Sequence, residues 1–306
     1  MYNVWFGDCF RIINEDSDLI VDFGIHRCCL AGKKAMCGSK IITRDMVHDE
    51  ISKRILSSNS QRNLLITHFH EDHISGLIYM EKHMKSGNKK PFNYVYIPDV
   101  WGVTNATCMI SLCLLEELLK SSYISGSMKL FDLVRFLCLD VRRVIFTHRG
   151  MDLENGLYTA LWPDPAFVGK EAKYIWDSLQ LDQALKNAIY YTSEKLCNIV
   201  VACAEMEGEN REGLMNDIDE LDAQFFDGLN ESYLRQLQNN TSLLKEIHLN
   251  KFGNKISIVF HNKKDNKENL LFTGDLDVSC LNKITQNDDK KIDMHKTINE
   301  QVRDFA

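Results

Sequence analysis

A cluster of possible metal ligands lies near position 70, in the order His68, His70, Asp72 and His73. It follows the short apolar run 63–67, which is typical of a buried strand, and it precedes a stretch with helical spacing. Residues two apart on an extended chain point to the same side, and the turn into the helix can direct the last two side chains to the same point. Imidazole nitrogen with carboxylate oxygen is a ligand set that Zn²⁺ prefers, so the segment predicts a divalent metal site.

The elements around this segment divide the chain into strand-rich ends and a helical middle. Short strands are predicted at 2–6, 9–13 and 18–22, and they resume from residue 255. Apolar residues three and four apart predict two helical insertions, at about 106–140 and about 170–247. We therefore expect one domain over residues 1–306, of the α/β (α+β) class.

Composition and charge exclude several classes of protein. The chain has 306 residues, of which 44% are hydrophobic and 26% charged, and this excludes a disordered chain, a coiled coil and a collagen-like fibre. The 36 Lys and Arg residues against 43 Asp and Glu residues give a net charge of −7, so no overall basic field favours nucleic acid. The first residues do not resemble a secretory signal, and no apolar run reaches the roughly 18 residues of a membrane span. We expect a cytoplasmic protein that does not bind a membrane.

Three segments resemble the metallo-β-lactamase fold superfamily, in the same order along the chain. They are Leu19–Gly24 (LIVDFG), the histidine motif and Leu271–Asp275 (LFTGD). Further segments are most similar to the hydrolase domain of the DNA-uptake protein ComEC and its soluble relatives: Val4–Phe10, Leu161–Pro165, Ile256–Phe260 and Leu270–Thr273. The resemblance covers the two strand-rich ends, and it implies an αββα sandwich with helical insertions.

The resemblance also implies two divalent metal ions, with Zn²⁺ expected and Mn²⁺ as the alternative. The implied ligands are His68 and His70 for the first ion, Asp72 and His73 for the second, and Asp275 as a bridge. A hydroxide held between the ions would be the nucleophile, and Asp72 would orient it or accept its proton. Asp22 would lie behind a ligand histidine and fix its tautomer.

Two positions of the superfamily pattern have no plain match. A histidine after a later strand often completes the first metal site, and His148, after the run 144–147, is the candidate, although ComEC-like members often lack this ligand. A further histidine usually follows the bridging aspartate, and beyond Asp275 the chain offers only His295. Either His295 is a ligand, or the second metal site is weak, or the chain is truncated there.

Phosphodiester hydrolysis, on a nucleic acid or a nucleotide, is the function that the resemblance implies. The absence of a secretory signal, the ComEC-like segments and the bridging carboxylate Asp275 favour this reaction over β-lactam hydrolysis. A second hypothesis is a subunit with little or no catalysis, in an antiviral-defence or genome-maintenance complex, which the incomplete last motif favours. Thioester or lactone hydrolysis uses the same ligands and is a third.

The second helical insertion has a charge pattern that favours a protein partner. Between Glu205 and Glu231 there are ten acidic residues and one basic residue, Arg211. Because this stretch would repel a phosphate backbone, we expect it to bind a protein partner or a second copy of the chain rather than nucleic acid. Its apolar stripe, which is more often core-facing than partner-facing, consists of Ile218, Leu221, Phe225 and Leu229.

Overall fold

The computed structural model describes residues 8–14, 17–25, 35–37, 40–57, 60–83, 90–120, 128–206, 211–229, 237, 252–262 and 270–286. Within these ranges the chain is a mixed α/β protein, which confirms the predicted class. The strands are β1 (Phe10–Ile13), β2 (Ser17–Val21), β3 (Ala35–Cys37), β4 (Lys40–Ile42), β5 (Gln61–Leu65), β6 (Phe92–Pro98), β7 (Val141–Thr147), β8 (Asp152–Leu153), β9 (Tyr158–Trp162), β10 (Val259–Asn262) and β11 (Leu271–Phe272). The helices are α1 (Arg44–Leu56), α2 (Glu71–His83), α3 (Ala106–Lys120), α4 (Lys129–Leu139), α5 (Pro165–Ser178), α6 (Gln183–Glu205), α7 (Glu212–Gly228), α8 (Phe252–Lys255) and α9 (Val278–Gln286). Among these helices, none is long and apolar enough to cross a membrane.

The first sheet has the strand order β1-β2-β5-β6-β7. Strands β2, β5, β6 and β7 are parallel, whereas β1 is antiparallel to β2. The carboxyl ends of the parallel strands therefore share one edge, which is where sheets of this kind usually bind ligands. Asp22 follows β2 at this edge, the histidine motif follows β5, Asp99 follows β6 and His148 follows β7.

A second, antiparallel sheet has the order β11-β10-β9-β8, and β3 pairs separately with β4. Its inner face packs against the first sheet, because one buried cluster contains residues of both sheets. Neighbouring residues of β5 point to opposite faces: Leu65 belongs to the cluster between the sheets, and Leu64 belongs to the cluster that contains the helices. Phe10 of β1 and Phe272 of β11 also meet, with ring centroids 5.8 Å apart. The two sheets thus form inner layers, and helices cover the outer face of the first.

Several helices begin at residues whose side chains cap them. Asp164 accepts a backbone N–H at the start of α5, where Pro165 is the first helical residue, and Asp182 caps α6 in the same way. Met128 gives α4 no side-chain cap, and Glu117 of α3 accepts the first N–H groups of α4 instead.

The first predicted insertion consists of α3 and α4, which the contact of Glu117 with the start of α4 holds together. The second contains α6 and α7 and most of α5, and its part beyond residue 229 lies almost wholly outside the described residues.

The acidic helix α7 is partly neutralised within the protein. Its apolar stripe is buried, and Phe225 packs against Phe131 of α4 with ring centroids 6.0 Å apart. Arg135 of α4 binds the carboxylates of Asp219 at 2.9 Å and Asp222 at 2.6 Å. The stripe is therefore core-facing, and two of the acidic residues are paired within the chain.

Candidate metal centre

Asp22 is held at the carboxyl edge of the first sheet, where it is 1% exposed. Its backbone has φ 55°, in the left-handed region, and its N–H donates to the carbonyl of Leu65. Its carboxylate accepts two hydrogen bonds of 2.7 Å from Thr67, one from the backbone N–H and one from the hydroxyl, and lies 2.9 Å from Nδ1 of His73. A carboxylate can only accept, so in the neutral ring it fixes the tautomer in which Nδ1 of His73 carries the hydrogen and Nε2 has a lone pair.

The two other motif histidines also have one ring nitrogen next to a protein oxygen. Nδ1 of His68 lies 3.1 Å from the hydroxyl of Thr67, which donates its own hydrogen to the buried carboxylate and so accepts from this ring. Nε2 of His70 lies 3.2 Å from Oε1 of Glu116. The opposite nitrogens, Nε2 of His68 and Nδ1 of His70, are 3.0 Å apart. The motif therefore turns these two nitrogens toward each other.

Asp275, which follows β11 of the second sheet, lies close to His73. It follows Gly274, whose φ of 50° is a conformation that glycine adopts without strain. The Oδ2 atom of Asp275 lies 3.6 Å from Nε2 of His73, and the Asp275 side chain is 43% exposed. His68, His73 and Asp275 can each offer one ligand atom within 4.8 Å of the others. Residues next to both sheets can therefore bind one divalent cation here.

Carboxylates crowd around His73. A second group of possible ligands shares this ring with Asp8 and Asp22. Burial opposes the charged form of His73, but the carboxylates, Asp22 first and then Asp275, hold its pKa well above the ordinary value. Burial raises the pKa of Asp8, and although His73 opposes this shift, the neighbouring carboxylates raise it further. Because these like charges repel one another, the group is stabilised by a cation placed among them.

The two groups of possible ligands found in the described ranges leave out His70, Asp72 and His148. Asp72 is half-buried in the first turn of α2, and its carbonyl accepts the N–H of Asp8 at 3.1 Å. His148 is 49% exposed, and its Nδ1 lies 3.2 Å from Oδ2 of Asp99. The predicted ligand His295 lies outside the described residues. The structure thus brings His68 and His73 together with Asp275, places His70 beside His68, and places His148 in a separate pair.

Several residues that contact the centre were not predicted from the sequence. Glu116 belongs to an insertion without a family resemblance, and its signal is an acid within the apolar run 109–119. Gly253 is another, because a Cβ at this position would lie 2.3 Å from Nε2 of His70. Asp99 directly follows a buried strand, as Asp22 does, and that position could have identified it.

The donor set of the centre is imidazole nitrogen with carboxylate oxygen, which fits Zn²⁺ and also suits Mn²⁺. Either metal could bind Nε2 of His73 and the carboxylate of Asp275 together with a nitrogen of His68, and Nδ1 of His70 lies 3.0 Å from Nε2 of His68. The chain matches no protein-family model, no curated protein and no solved structure. Its chemistry is therefore inferred from its own residues.

Proposed function

We propose that this chain is a metal-dependent hydrolase of the metallo-β-lactamase fold superfamily, with an αββα sandwich and helical insertions. Its layers support the proposal, because two sheets pack face to face and helices cover the outer face of the first. The order of the site segments supports it too: Asp22 follows β2, the histidine motif follows β5 and Asp275 follows β11. This is the order of the resembling segments in the sequence.

The observation that carries the proposal is the orientation of the three histidine rings. In each ring one nitrogen lies next to an oxygen, of Thr67, Glu116 or Asp22 respectively. The other nitrogen of each ring is thereby left with a lone pair. Lone pairs that face one another repel unless a proton or a cation lies between them, and the surrounding carboxylates favour the cation.

The residues of the centre have distinct roles in this proposal. The first ion would be held by His68 and His70 with Asp275, and also by His73, which the resemblance assigns to the second ion but which lies beside His68. A second ion would lie beside the first, with Asp275 shared and Asp72 as a further ligand. Bound divalent ions supply Lewis acidity and lower the pKa of a coordinated water. Asp72, half-buried beside the group, can accept a proton from a water. Asp22 and Thr67 keep two of the imidazoles in the tautomer that a metal requires.

A phosphodiester is the substrate class that we propose. The carboxylates of the centre would repel a phosphate by themselves, so an anionic substrate needs the cations both to bind and to stabilise the charge that develops at phosphorus. The net charge of −7 also disfavours unaided binding of a long nucleic acid. A nucleotide, or a nucleic acid delivered by a protein partner, is therefore the expected substrate.

A screen of the purified protein with Zn²⁺ or Mn²⁺ tests this function. The substrates are single-stranded DNA, double-stranded DNA, RNA, cyclic dinucleotides and a chromogenic phosphodiester, with a thioester and a lactone as competing classes. We expect metal-dependent cleavage of at least one phosphodiester, and loss of this cleavage in the Asp72→Ala and Asp275→Ala proteins. The control is His83→Ala, an exposed histidine on the same helix as Asp72. Turnover by Asp72→Ala at the native rate, or cleavage of only the thioester or lactone, would contradict the proposal.

A subunit role in a larger complex is the second candidate, and a groove between α6 and α7 favours it. The groove has a volume of about 440 Å³, with Tyr191 and Lys195 on one wall and Asp217 and Glu220 on the other. Helix α7 has no basic residue, so the contacting segment of a protein partner would be basic. Metal content distinguishes the candidates: about two ions per chain favour the enzyme, and one or none favours the subunit.

A further inference from the structure

Glu116 is an acidic residue in a helix that is otherwise mostly apolar. Helix α3 has the sequence ATCMISLCLLEELLK, and Glu116 is 6% exposed within it. Burying a carboxylate costs free energy unless its oxygens accept hydrogen bonds or face a positive group. The surroundings of Glu116 should therefore explain why an acid stands here.

Both oxygens of Glu116 face residues of the candidate centre. Oε2 accepts a hydrogen bond of 3.2 Å from the backbone N–H of Gly253, in α8. Oε1 lies 3.2 Å from Nε2 of His70. This nitrogen is buried and makes no hydrogen bond in the described ranges; Oε1 lies at hydrogen-bond distance from it but is not aligned with it.

Gly253 closes the same side of the histidine ring. A Cβ on this residue would lie 2.3 Å from Nε2 of His70 and 3.1 Å from Oε2 of Glu116. The ring is therefore confined between the backbone of α8 and the carboxylate of α3. On the opposite side of the ring, Nδ1 faces Nε2 of His68 at 3.0 Å.

The chemistry of the two groups then selects one form of the ring. A carboxylate offers only acceptors, so the imidazole nitrogen beside it must carry the hydrogen. With the hydrogen on Nε2, Nδ1 of His70 has a lone pair directed at the centre. Asp22 selects the tautomer of His73 in the same way, through the opposite ring nitrogen.

We propose that Glu116 is the positioning residue for His70, which it holds in the Nε2–H tautomer with Nδ1 directed at the cation. The cation belongs to the proposed function, and the proposal deepens that function by making the first helical insertion a part of the metal centre. Helix α3 also packs against α5, α6 and α8, so Glu116 links the inserted helices to the ligand histidines.

The first test reads the tautomer directly, in the metal-free protein. Long-range ¹H–¹⁵N spectra at alkaline pH distinguish the two neutral imidazole forms, and the His70→Gln protein assigns the signal. In the absence of metal the lone pair on Nε2 of His68 favours the Nδ1–H form of His70, whereas Glu116 favours the Nε2–H form. We therefore expect a larger Nε2–H population in the native protein than in Glu116→Ala. Glu116→Gln keeps the shape of the side chain and one acceptor oxygen, so it should restore the native form in part if Glu116→Ala folds poorly. An unchanged Nε2–H signal in both variants would overturn the proposal.

The second test measures Co²⁺ affinity by its absorption spectrum. Loss of a carboxylate behind a ligand histidine costs about 10- to 100-fold in metal affinity, and we expect this loss in Glu116→Ala and a smaller one in Glu116→Gln. The matched control is Glu117→Gln, the neighbouring acid on α3, which caps α4 and should leave the affinity unchanged. If the native protein binds no Co²⁺, the proposed function fails, while the tautomer spectra still decide the role of Glu116. Native affinity in Glu116→Ala would overturn that role.

Discussion

Asp22 and Glu154 are two of the buried carboxylates of this protein, and their surroundings differ in kind. Asp22 is 1% exposed and Glu154 is 5% exposed, and both have a backbone φ in the left-handed region, at 55° and 49°. Glu154 accepts from the hydroxyl of Ser17 at 2.7 Å and the amide of Asn63 at 2.8 Å, which are both neutral donors. Asp22 instead accepts from Thr67 and a histidine ring, with other carboxylates close by.

We interpret Glu154 as a structural carboxylate and Asp22 as a part of the proposed metal centre. Donors surround Glu154, and its hydrogen bonds tie β2 and β5 of the first sheet to the turn before β9. Around Asp22 acceptors outnumber donors, because the rings of His68 and His73 converge with several carboxylates. A buried group with an excess of acceptors is stable only with a cation or with extra protons. Burial alone therefore does not indicate function, but the balance of donors and acceptors does.

The strongest test of this contrast removes a ligand of the proposed cation. We expect His73→Ala to lose Zn²⁺ affinity by more than about 100-fold, which is the upper end of the loss for a residue that only supports a ligand. Isothermal titration calorimetry measures the affinity. Glu154→Gln is the matched control, since it changes a buried carboxylate away from the centre, and it should bind Zn²⁺ as the native protein does. If His73→Ala and Glu154→Gln lost the same Zn²⁺ affinity, the contrast between Asp22 and Glu154 would be wrong.

The structural carboxylate should instead determine stability. We expect Glu154→Ala to lower the free energy of unfolding by about 2–3 kcal/mol, because charge-assisted hydrogen bonds are lost and buried donors remain unpaired. Urea denaturation measures this change. Glu154→Gln keeps one acceptor oxygen and should lose less. A native midpoint for Glu154→Ala would show that the network contributes nothing.

The substitution Asp22→Asn separates two roles of this residue, its hydrogen bonds to Thr67 and its contact with His73. Asp22→Asn keeps an acceptor for Thr67 but places an amide near His73, so we expect Zn²⁺ affinity to fall about 10- to 100-fold. The fold should be retained, as measured by circular dichroism and urea denaturation. Native affinity in this variant would mean that the tautomer of His73 is set by another group.

The smallest expected effect is on the pH dependence of stability, through the buried histidine His48. His48 of α1 is 3% exposed, and burial, with Arg44 nearby, lowers its pKa from 6.5 to about 3. Below pH 6.5 the unfolded chain therefore binds more protons than the folded chain. The free energy of unfolding then falls as the pH falls, by up to about 1.4 kcal/mol per pH unit. Urea denaturation between neutral and mildly acidic pH should show a shallower dependence in His48→Phe, and the exposed His83→Gln should keep the native dependence. The same slope in all three proteins would contradict this assignment.

The sequence predicts the parts of the centre that follow strands, and it misses those that depend on the inserted helices. Asp22 and the histidine motif could be found because each ends an apolar run, and parallel strands bring such ends to one edge. Glu116 could not be paired with His70, because 46 positions and an unfamiliar insertion separate them. The pairing of His148 with Asp99 likewise depends on β7 lying beside β6, an order that neither strand reveals by itself.

The sequence contains signals for some helix and strand ends that the prediction nevertheless placed at the wrong residues. Helix α5 begins at Pro165, after the capping residue Asp164, although the second insertion was predicted from about 170. Strand β5 covers 61–65 rather than 63–67, because the polar residues Gln61 and Arg62 pair with β2 while Thr67 turns toward Asp22. Hydrophobic runs mark buried strand segments, but hydrogen bonding to a neighbouring strand decides where a strand begins and ends.

The most direct test of the central claim is the anomalous scattering of zinc in crystals grown with Zn²⁺. We predict a peak bonded to Nε2 of His68, Nδ1 of His70 and Nε2 of His73, each at about 2.0–2.1 Å. The carboxylate of Asp275 should complete the ligand set, with Asp22 and Glu116 behind their histidines. A crystal that contains zinc elsewhere but none among these three nitrogens would contradict the claim that the chain is built around a metal centre.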